Sequence, residues 1–591
     1  MPANFNETFW SEHGRQLRRP SLACLKLDSM TYKTLLFQIN EDIGFDNSGI
    51  WLLNVETSTP KFNSFFDLAI KQSIELAVTP EYSCPWEIVS TLLSDGKFPD
   101  IANLWVLGMA SINPPALKQI IDQHQNITWI YDEELLASSI LANPTKFFDP
   151  VCYLVNTLDN AGVNHKTVVI QFKNYPFGGA DAQWERNNII LGHTFYVIRN
   201  QFESARMVTL ICSDTLDNLN FNEIQDGMFL TAPLLLLHIQ LNQKPFADNY
   251  KLYRNLIFSK GGKNGNKEVI CLNWARNVTY FVEGTPKIFN ETSGSAIYLK
   301  STNISKTDTD INLNHKKGMY YTYWSSRRTH AYVLNFDEYL YLIENTKASQ
   351  DAADPTQFNR TGPHLRYTYK WQENDWVLDD SRINDGFQSV ISQLEDTPGS
   401  LSCLSNNENY LEVERMVQLC SGEIACIADW FTVSNLFSFV IDDQEVNNRV
   451  IFTQQNVQST MLARKQKINN YSILKNGIIN NSKNLPVGMD KAELKYINIQ
   501  NGTHKFLLNL HSGDSNMHAT AIYVGSMSAV DAVIIQKKIS DLFNDSQYGK
   551  TVMVWHETAT GRQRIPNVFP EPIISENVEK QSNRITQSRK L

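Results

Sequence analysis

Three short strings in this chain end on side chains able to do covalent chemistry: Thr79-Pro80-Glu81-Tyr82, Phe172-Lys173-Asn174-Tyr175-Pro176-Phe177 and Leu210-Ile211-Cys212-Ser213-Asp214. In order they supply a carboxylate, an ammonium and a thiol. A cysteine attacks an electrophilic carbon as thiolate, so a base must take its proton or a cation must lower its pKa. Glu81 is the candidate base. Attack on an amide or nitrile carbon puts negative charge on oxygen or nitrogen, and a fixed ammonium with a backbone N–H stabilises that charge where it develops. Lys173 and the Ser213 amide fit those two roles.

The elements that carry these residues read as buried strands. Ile74, Leu76, Ala77 and Val78 form an apolar run that Pro80 breaks. Val168, Val169, Ile170 and Phe172 form a second before Pro176, and Met207 to Ile211 a third before Ser213-Asp214. Short apolar runs bounded by breakers are the pattern of strands covered on both faces, with their last residues turned toward the loops at the sheet end. A single Cys on such a strand is ordinarily an inert core residue, and a single Glu or Lys is ordinarily solvated. The weight lies in the coincidence of three runs, each ending on the type the chemistry needs. A lone buried ammonium is costly, so replacing Lys173 by an apolar chain is expected to leave stability nearly unchanged.

The order Glu, Lys, Cys resembles the carbon-nitrogen hydrolase (nitrilase) superfamily. Further strings carry the resemblance. Asn63-Ser64-Phe65-Phe66-Asp67-Leu68-Ala69-Ile70 is similar to the family's first helix, and Gly108 after Leu104-Trp105-Val106-Leu107 to the glycine ending its next strand. Glu185, twelve positions beyond Lys173, resembles the family's second, supporting carboxylate, with Gly192 as the glycine after it. Asp214 matches the Cys-x-Asp pattern, Ile270-Cys271-Leu272-Asn273 the strand ending in Asn, and Ser293-Gly294-Ser295-Ala296-Ile297 the late Gly-x-Ser turn. Ser213 departs from the aromatic residue usual after the Cys, and the usual Arg-rich helix is reduced to Tyr253-Arg254-Asn255. Leu237-His238-Ile239-Gln240-Leu241-Asn242 faintly resembles nitrilase domains of bacterial anti-phage defence proteins, though no Tyr-x-Asp-Asp polymerase motif accompanies it.

The resemblance implies an α/β protein with an αββα sandwich, here followed by an α+β accessory domain. It implies a catalytic Glu81, Lys173 and Cys212 with Glu185, Ser213 and Asp214 in support, hydrolysis of a non-peptide amide or nitrile bond through a Cys thioester, no metal or organic cofactor, and a homo-oligomer. The other class in play is a non-catalytic sensor or assembly module that keeps the fold, since fold does not settle activity.

At 591 residues the chain exceeds what one hydrophobic core organises. The reading divides it into an extension over 1–48, the hydrolase-like domain over 49–345, a polar linker over 346–375, the accessory domain over 376–572 and a disordered tail over 573–591. In the second half, Lys505–Leu510, Ala519–Gly525 and Thr551–His556 read as strands and Ser528–Phe543 as a helix capped by Ser528. A net charge of −9 argues against a general nucleic-acid binder. Eight Cys without dense spacing suit a reducing, cytoplasmic setting. Residues 1–20 lack a signal-peptide core, and the apolar run Leu230–Ile239 is too short to cross a bilayer.

Other motifs carry less. His556-Glu557 has Thr560 where a zinc protease needs a second His, and Cys403, Cys420 and Cys426 lack partners at metal-ligand spacing. Gly261–Gly265 lacks the Lys-Ser/Thr ending of a phosphate loop and reads as a turn or pocket rim. Lys316, Lys317, Tyr320, Tyr321, Tyr323, Trp324, Arg327, Arg328 and His330 interleave cations with aromatics as single-strand binders do, but a late sheet strand with charged ends is the preferred reading.

Overall fold

The computed structural model describes residues 4–12, 16–26, 31–176, 183–200, 205–216, 234–243, 253–254, 257–258, 267–282, 285–289, 294–300, 308–324, 329–347, 360–395, 399–422, 458–481, 485–486, 489, 491–501, 504–513, 517–541, 543 and 547–566. The chain divides into two compact units, 1–384 and 385–591.

The first unit is built on two large sheets. Nine strands form one, in the order Asp375–Leu378, Arg360–Gln372, Tyr339–Lys347, Thr31–Gln38, Leu76–Val78, Leu104–Gly108, Pro150–Leu158, Asn164–Phe172 and Thr128–Ile130. Seven form the other: Ile198–Arg199, Arg206–Ile211, Leu234–Ile239, Lys267–Leu272, Ala296–Lys300, Thr329–Leu334 and Met319–Trp324. Each has a parallel centre, Thr31–Gln38 through Leu104–Gly108 in the first and Arg206–Ile211 through Lys267–Leu272 in the second. Parallel strands need both faces covered. Side chains alternate accordingly: Leu35, Phe37, Ala77, Trp105, Leu107, Cys152, Leu154, Val168 and Ile170 join a core with the helices, among them Phe62, Phe65 and Phe66 of α1 (Val55–Lys71). The opposite parity meets the second sheet, where the Tyr32 hydroxyl donates to Glu268 Oε1 at 3.0 Å and Gln171 Nε2 to the Thr209 carbonyl at 2.9 Å.

Helices α1, α2 (Trp86–Ser94), α3 (Pro114–Gln123) and α4 (Glu133–Ala142) cover the outer face of the nine-stranded sheet. Asn54, Asn113 and Asp132 cap three of them by accepting N–H bonds in the first turn. The expected α/β class and the layering of helix, sheet and sheet are present in this unit.

Two domain boundaries differ from the sequence reading. Thr31–Gln38, expected in the extension over 1–48, is a central strand between Leu76–Val78 and Tyr339–Lys347. The stretch expected as a linker, 346–375, contributes Arg360–Gln372, which pairs antiparallel with Tyr339–Lys347 and widens the sheet with Asp375–Leu378. Trp376 is buried with its Nε1 donating to the Lys61 carbonyl, so the unit closes at Asn384. Polar composition misled here because this strand is only half covered, with Leu365, Thr368 and Tyr369 buried and Arg366, Tyr367 and Lys370 exposed. The stretch 573–591 lies outside the described residues.

The second unit holds a five-stranded sheet, Ala492–Asn501, His504–Ser512, Met517–Ser526, Val552–Thr558 and Gly561–Arg564. Helices Phe387–Leu394, Tyr410–Ser421 and Gln458–Ser472 share a core with it through Val390, Val417, Tyr471, Leu510, Ala521 and Met553. The expected strands and the helix Ala529–Asp541 are present, the latter capped by Ser528 Oγ, which accepts the Asp531 N–H at 3.1 Å. His556 accounts for itself locally, its Nδ1 2.9 Å from the Met527 carbonyl.

Candidate active site

Glu81 leaves the Leu76–Val78 strand on a backbone that only a glycine neighbour allows. A Cβ at Gly108 would meet the Pro80 carbonyl oxygen at 2.0 Å and the Glu81 Cα at 2.8 Å. The adjacent strand can therefore press against the Pro80–Glu81 peptide only if residue 108 has no side chain. Gly108 N–H donates to Thr79 Oγ1 at 3.0 Å, and Trp274 Nε1 donates to the Glu81 carbonyl at 2.8 Å. Tyr82 follows at φ +59°, a left-handed conformation rare for a bulky residue. Gly192 repeats the device beside Lys173: its N–H donates to the Lys173 carbonyl at 2.8 Å, and a Cβ there would stand 2.8 Å from the Phe172 oxygen.

Lys173 Nζ lies 2.8 Å from Glu81 Oε1 and 2.8 Å from Glu185 Oε1. Glu185 sits on α5 (Gln183–Asn188), which is seated by Trp184 stacked on Phe147 at 5.6 Å and edge-on to Phe45 at 5.2 Å. The second oxygen of Glu81 accepts the Leu241 N–H at 2.6 Å. That loop is held in turn by Asn273, whose Oδ1 accepts the Asn242 N–H and whose Nδ2 donates to the Asn242 carbonyl. Ser295 Oγ accepts the Asn273 N–H at 3.0 Å, so the late Asn and Ser singled out from the sequence both serve the loop that grips Glu81.

A third carboxyl, Asp149, escaped the sequence reading. Its Oδ2 is 3.2 Å from Lys173 Nζ, and both side chains are almost fully buried, 1% and 2% exposed. Its other close partner is the Glu81 carboxyl, with which it shares a side-chain hydrogen bond. The backbone explains its place: Pro150–Leu158 and Asn164–Phe172 form a hairpin with Pro150 opposite Phe172, and the Lys173 N–H donates to the Asp149 carbonyl at 2.9 Å. Reading Asp159-Asn160-Ala161-Gly162-Val163 as a five-residue hairpin loop, with Leu158 opposite Asn164, would have placed Asp149 opposite Lys173.

Three carboxyls around one ammonium would leave a buried excess of two negative charges if all were ionised, an arrangement that burial disfavours. Burial pushes Asp149 well above the ordinary carboxylate range; Lys173 opposes this, and Glu81 and Glu185 reinforce it. Burial works against the Lys173 ammonium, but Glu185, Glu81, Tyr82 and Asp149 outweigh it and raise its pKa well above the usual value. Lys173 is thus a firm cation and not the lone ammonium expected from sequence. Its Nζ lies 5.6 Å from the Tyr82 ring centre.

Cys212 ends the Arg206–Ile211 strand at φ +39°, the strained turn of an elbow. Asp214 ties this elbow to the Lys173 strand end: Oδ1 accepts the N–H groups of Asn174 and Tyr175, both at 2.9 Å, and Oδ2 that of Ile211 at 2.9 Å. Burial raises the Asp214 pKa to about 7 against the pull of these three donors and Lys173. Ser213 Oγ donates to the Tyr175 carbonyl at 2.7 Å. The structure therefore brings Glu81, Lys173 and Glu185 into one buried cluster and ties the Cys212 backbone to the same strand end.

Two other motifs resolve differently. Tyr320 and Tyr321 are buried, with the Tyr321 hydroxyl 2.8 Å from His330 Nδ1, so neither presents a face for base stacking. Arg327, Arg328 and the Gly261–Gly265 loop lie outside the described residues. Among the described residues, no group of three or more His, Cys, Asp or Glu side chains is arranged to hold a metal ion, and no helix is long and apolar enough to cross a membrane. At the carboxyl cluster, the space a cation would take is filled by the Lys173 ammonium.

No protein-family model matches the chain, and no curated protein matches it by sequence. Among solved structures it is similar to an amidase from Nesterenkonia sp. (11% identity, 45% of this chain and 81% of that one, TM-score 0.26). It is similar too to a CN-hydrolase superfamily protein from Xanthomonas campestris with an arsenic adduct in the active site (10% identity, 42% and 78%, TM-score 0.25). A glutamine-dependent NAD+ synthetase from Acinetobacter baumannii aligns with 67% of this chain at 10% identity and a TM-score of 0.32, and the chain spans 56% of that protein's length.

Proposed function

We propose that the 1–384 unit is a carbon-nitrogen hydrolase of the nitrilase superfamily that acts on an amide or nitrile through a thioester at Cys212. The observation that carries this reading is the buried Lys173 ammonium, held at 2.8 Å by both Glu81 and Glu185 at the strand end to which Asp214 ties the Cys212 elbow.

In the amide reaction Glu81 takes the thiol proton, and the thiolate adds to the carbonyl carbon, forming a C–S bond and an oxyanion. Lys173 and the Ser213 N–H hold that charge. Collapse breaks the C–N bond, and Glu81 returns the proton to the departing amine or ammonia. Water then adds to the thioester, giving its proton to Glu81, and the C–S bond breaks to release the acid and regenerate the thiol. Glu185 keeps Lys173 placed throughout. A homo-oligomer belongs to this proposal and is tested by sedimentation, where a strict monomer at micromolar concentration counts against it.

The direct test is intact-mass spectrometry of the protein incubated with a panel of small amides and nitriles and with cell extract. An acyl adduct on Cys212 that is lost in Cys212→Ala supports the reading. Absence of any adduct, together with Cys212 alkylation by iodoacetamide no faster than that of an ordinary exposed thiol, favours a non-catalytic module.

A further inference from the structure

A buried chain of polar groups lies behind the elbow and takes no part in the chemistry above. His238, opposite Leu210 in the parallel pairing of Arg206–Ile211 with Leu234–Ile239, is fully buried. Its Nε2 is 2.9 Å from the carbonyl oxygen of Cys212 itself. A carbonyl only accepts, so Nε2 carries the proton and Nδ1 is left as an acceptor. The Tyr253 hydroxyl stands 2.6 Å from Nδ1 and 3.3 Å from Cys271 Sγ. Burial, with Arg254 nearby, lowers the His238 pKa to about 3, and burial raises that of the Cys271 thiol, so the ring stays neutral and the thiol keeps its proton. The donors then run one way: Cys271 S–H to Tyr253, Tyr253 O–H to His238, His238 N–H to the Cys212 carbonyl. Each bond in such a series polarises the next.

The Cys212 carbonyl matters because of the peptide it belongs to. The C=O of Cys212 and the N–H of Ser213 are fixed in one plane and point in opposite directions across a trans peptide bond. Whatever holds that oxygen aims that N–H. Thr215 Oγ1 also donates to the same oxygen, at 3.2 Å. The elbow needs such restraint, since the φ of +39° at Cys212 is a conformation that a non-glycine residue leaves readily.

We propose that His238 is a positioning residue: held by Tyr253, it pins the Cys212–Ser213 peptide so that the Ser213 N–H faces the developing oxyanion. The inference rests on the hydrolase reading above and adds to it the group that sets the anion donor.

The test separates two reactions of one thiol. Iodoacetamide alkylates Cys212 by displacing iodide and develops no oxyanion. A small aldehyde adds the thiol across its C=O, forming a C–S bond while the carbonyl oxygen takes the proton, and this adduct draws on the oxyanion donors. The probes are iodoacetamide, read by mass spectrometry on the Cys212 peptide, and propionaldehyde or benzaldehyde, read as protection of Cys212 from alkylation. His238→Leu is expected to weaken aldehyde protection roughly tenfold or more while changing the alkylation rate less than about twofold. His238→Gln, which keeps an N–H of similar reach, is expected to restore most of the protection. Tyr253→Phe, which keeps the ring, is expected to weaken it about threefold and decides the matter if His238→Leu does not fold. Wild-type protection that persists unchanged in Tyr253→Phe and His238→Leu overturns the positioning role and leaves the hydrolase reading standing. A wild-type thiol that is neither protected by either aldehyde nor faster to alkylate than an ordinary thiol removes both.

Discussion

Lys173→Met tests the charge arrangement most directly, because the structure reverses what a lone buried ammonium would imply. Lys173 Nζ lies 2.8, 3.2 and 2.8 Å from Glu81, Asp149 and Glu185. Methionine keeps much of the side-chain length and removes the charge, leaving the carboxyls facing one another out of water. Breaking a buried ion pair from one side costs about 3–5 kcal/mol. Here the cost is capped because the carboxyls can take up protons, and that makes it depend on pH. A carboxyl whose folded pKa lies above its unfolded value is stabilising at low pH and loses that contribution as pH rises. For each additional proton the variant must bind on folding, the penalty is about 1 kcal/mol at pH 5 and about 4 kcal/mol at pH 7, taking ~4.3 for an unfolded Glu and ~1.4 kcal/mol per pH unit. Urea unfolding of both proteins at pH 5, 6, 7 and 8, followed by tryptophan fluorescence, reads the gap. It should widen by about 1.4 kcal/mol per pH unit. A variant as stable as wild type at pH 8, or a gap that stays constant from pH 5 to 8, would refute the argument that Lys173 balances the three carboxyls. Iodoacetamide kinetics on the same samples supply the chemical readout: the Cys212 rate at pH 7 should fall in the variant, and an unchanged rate uncouples Lys173 from the thiol.

Asp149→Asn keeps the shape and neutrality of the protonated acid, so wild type should lose stability relative to the variant as pH rises, by up to about 1.4 kcal/mol per unit, and parallel stability curves would show that Asp149 is ionised throughout. Asp214→Asn turns one of its two oxygens into a donor against the N–H groups of Ile211 or of Asn174 and Tyr175; we expect a loss of about 1–3 kcal/mol in urea unfolding and a slower Cys212 alkylation, whereas retained stability would mean that the elbow is held otherwise. Gly108→Ala drives a Cβ into the Pro80 carbonyl, so it should destabilise by more than about 1–3 kcal/mol and abolish adduct formation at Cys212, while a folded variant with the wild-type adduct yield would show that Glu81 does not depend on that close approach.

Much of the site was legible because its signals are local. Leu76–Val78, Asn164–Phe172 and Arg206–Ile211 are short apolar runs with breakers at their ends, and a strand buried on both faces can be built from little else. Glu81, Lys173 and Cys212 follow from where those runs stop. The strand His504–Ser512 and the capped helix Ala529–Asp541 were readable for the same reason. Tertiary pairing decided what local pattern does not encode. Asp149 precedes a proline and reads as a turn residue until the hairpin register sets it against Lys173. His238 reads as one polar residue in an apolar strand until parallel pairing lays it behind Cys212. Thr31–Gln38 and Arg360–Gln372 belong to one sheet only through Tyr339–Lys347, three segments separated by most of the first unit. The reactive types and the strand ends that carry them are properties of the sequence alone. The raised pKa values of Lys173 and Asp149 and the contact of His238 with the Cys212 carbonyl come from groups far apart in the chain, because burial and register exist only once the sheets have formed.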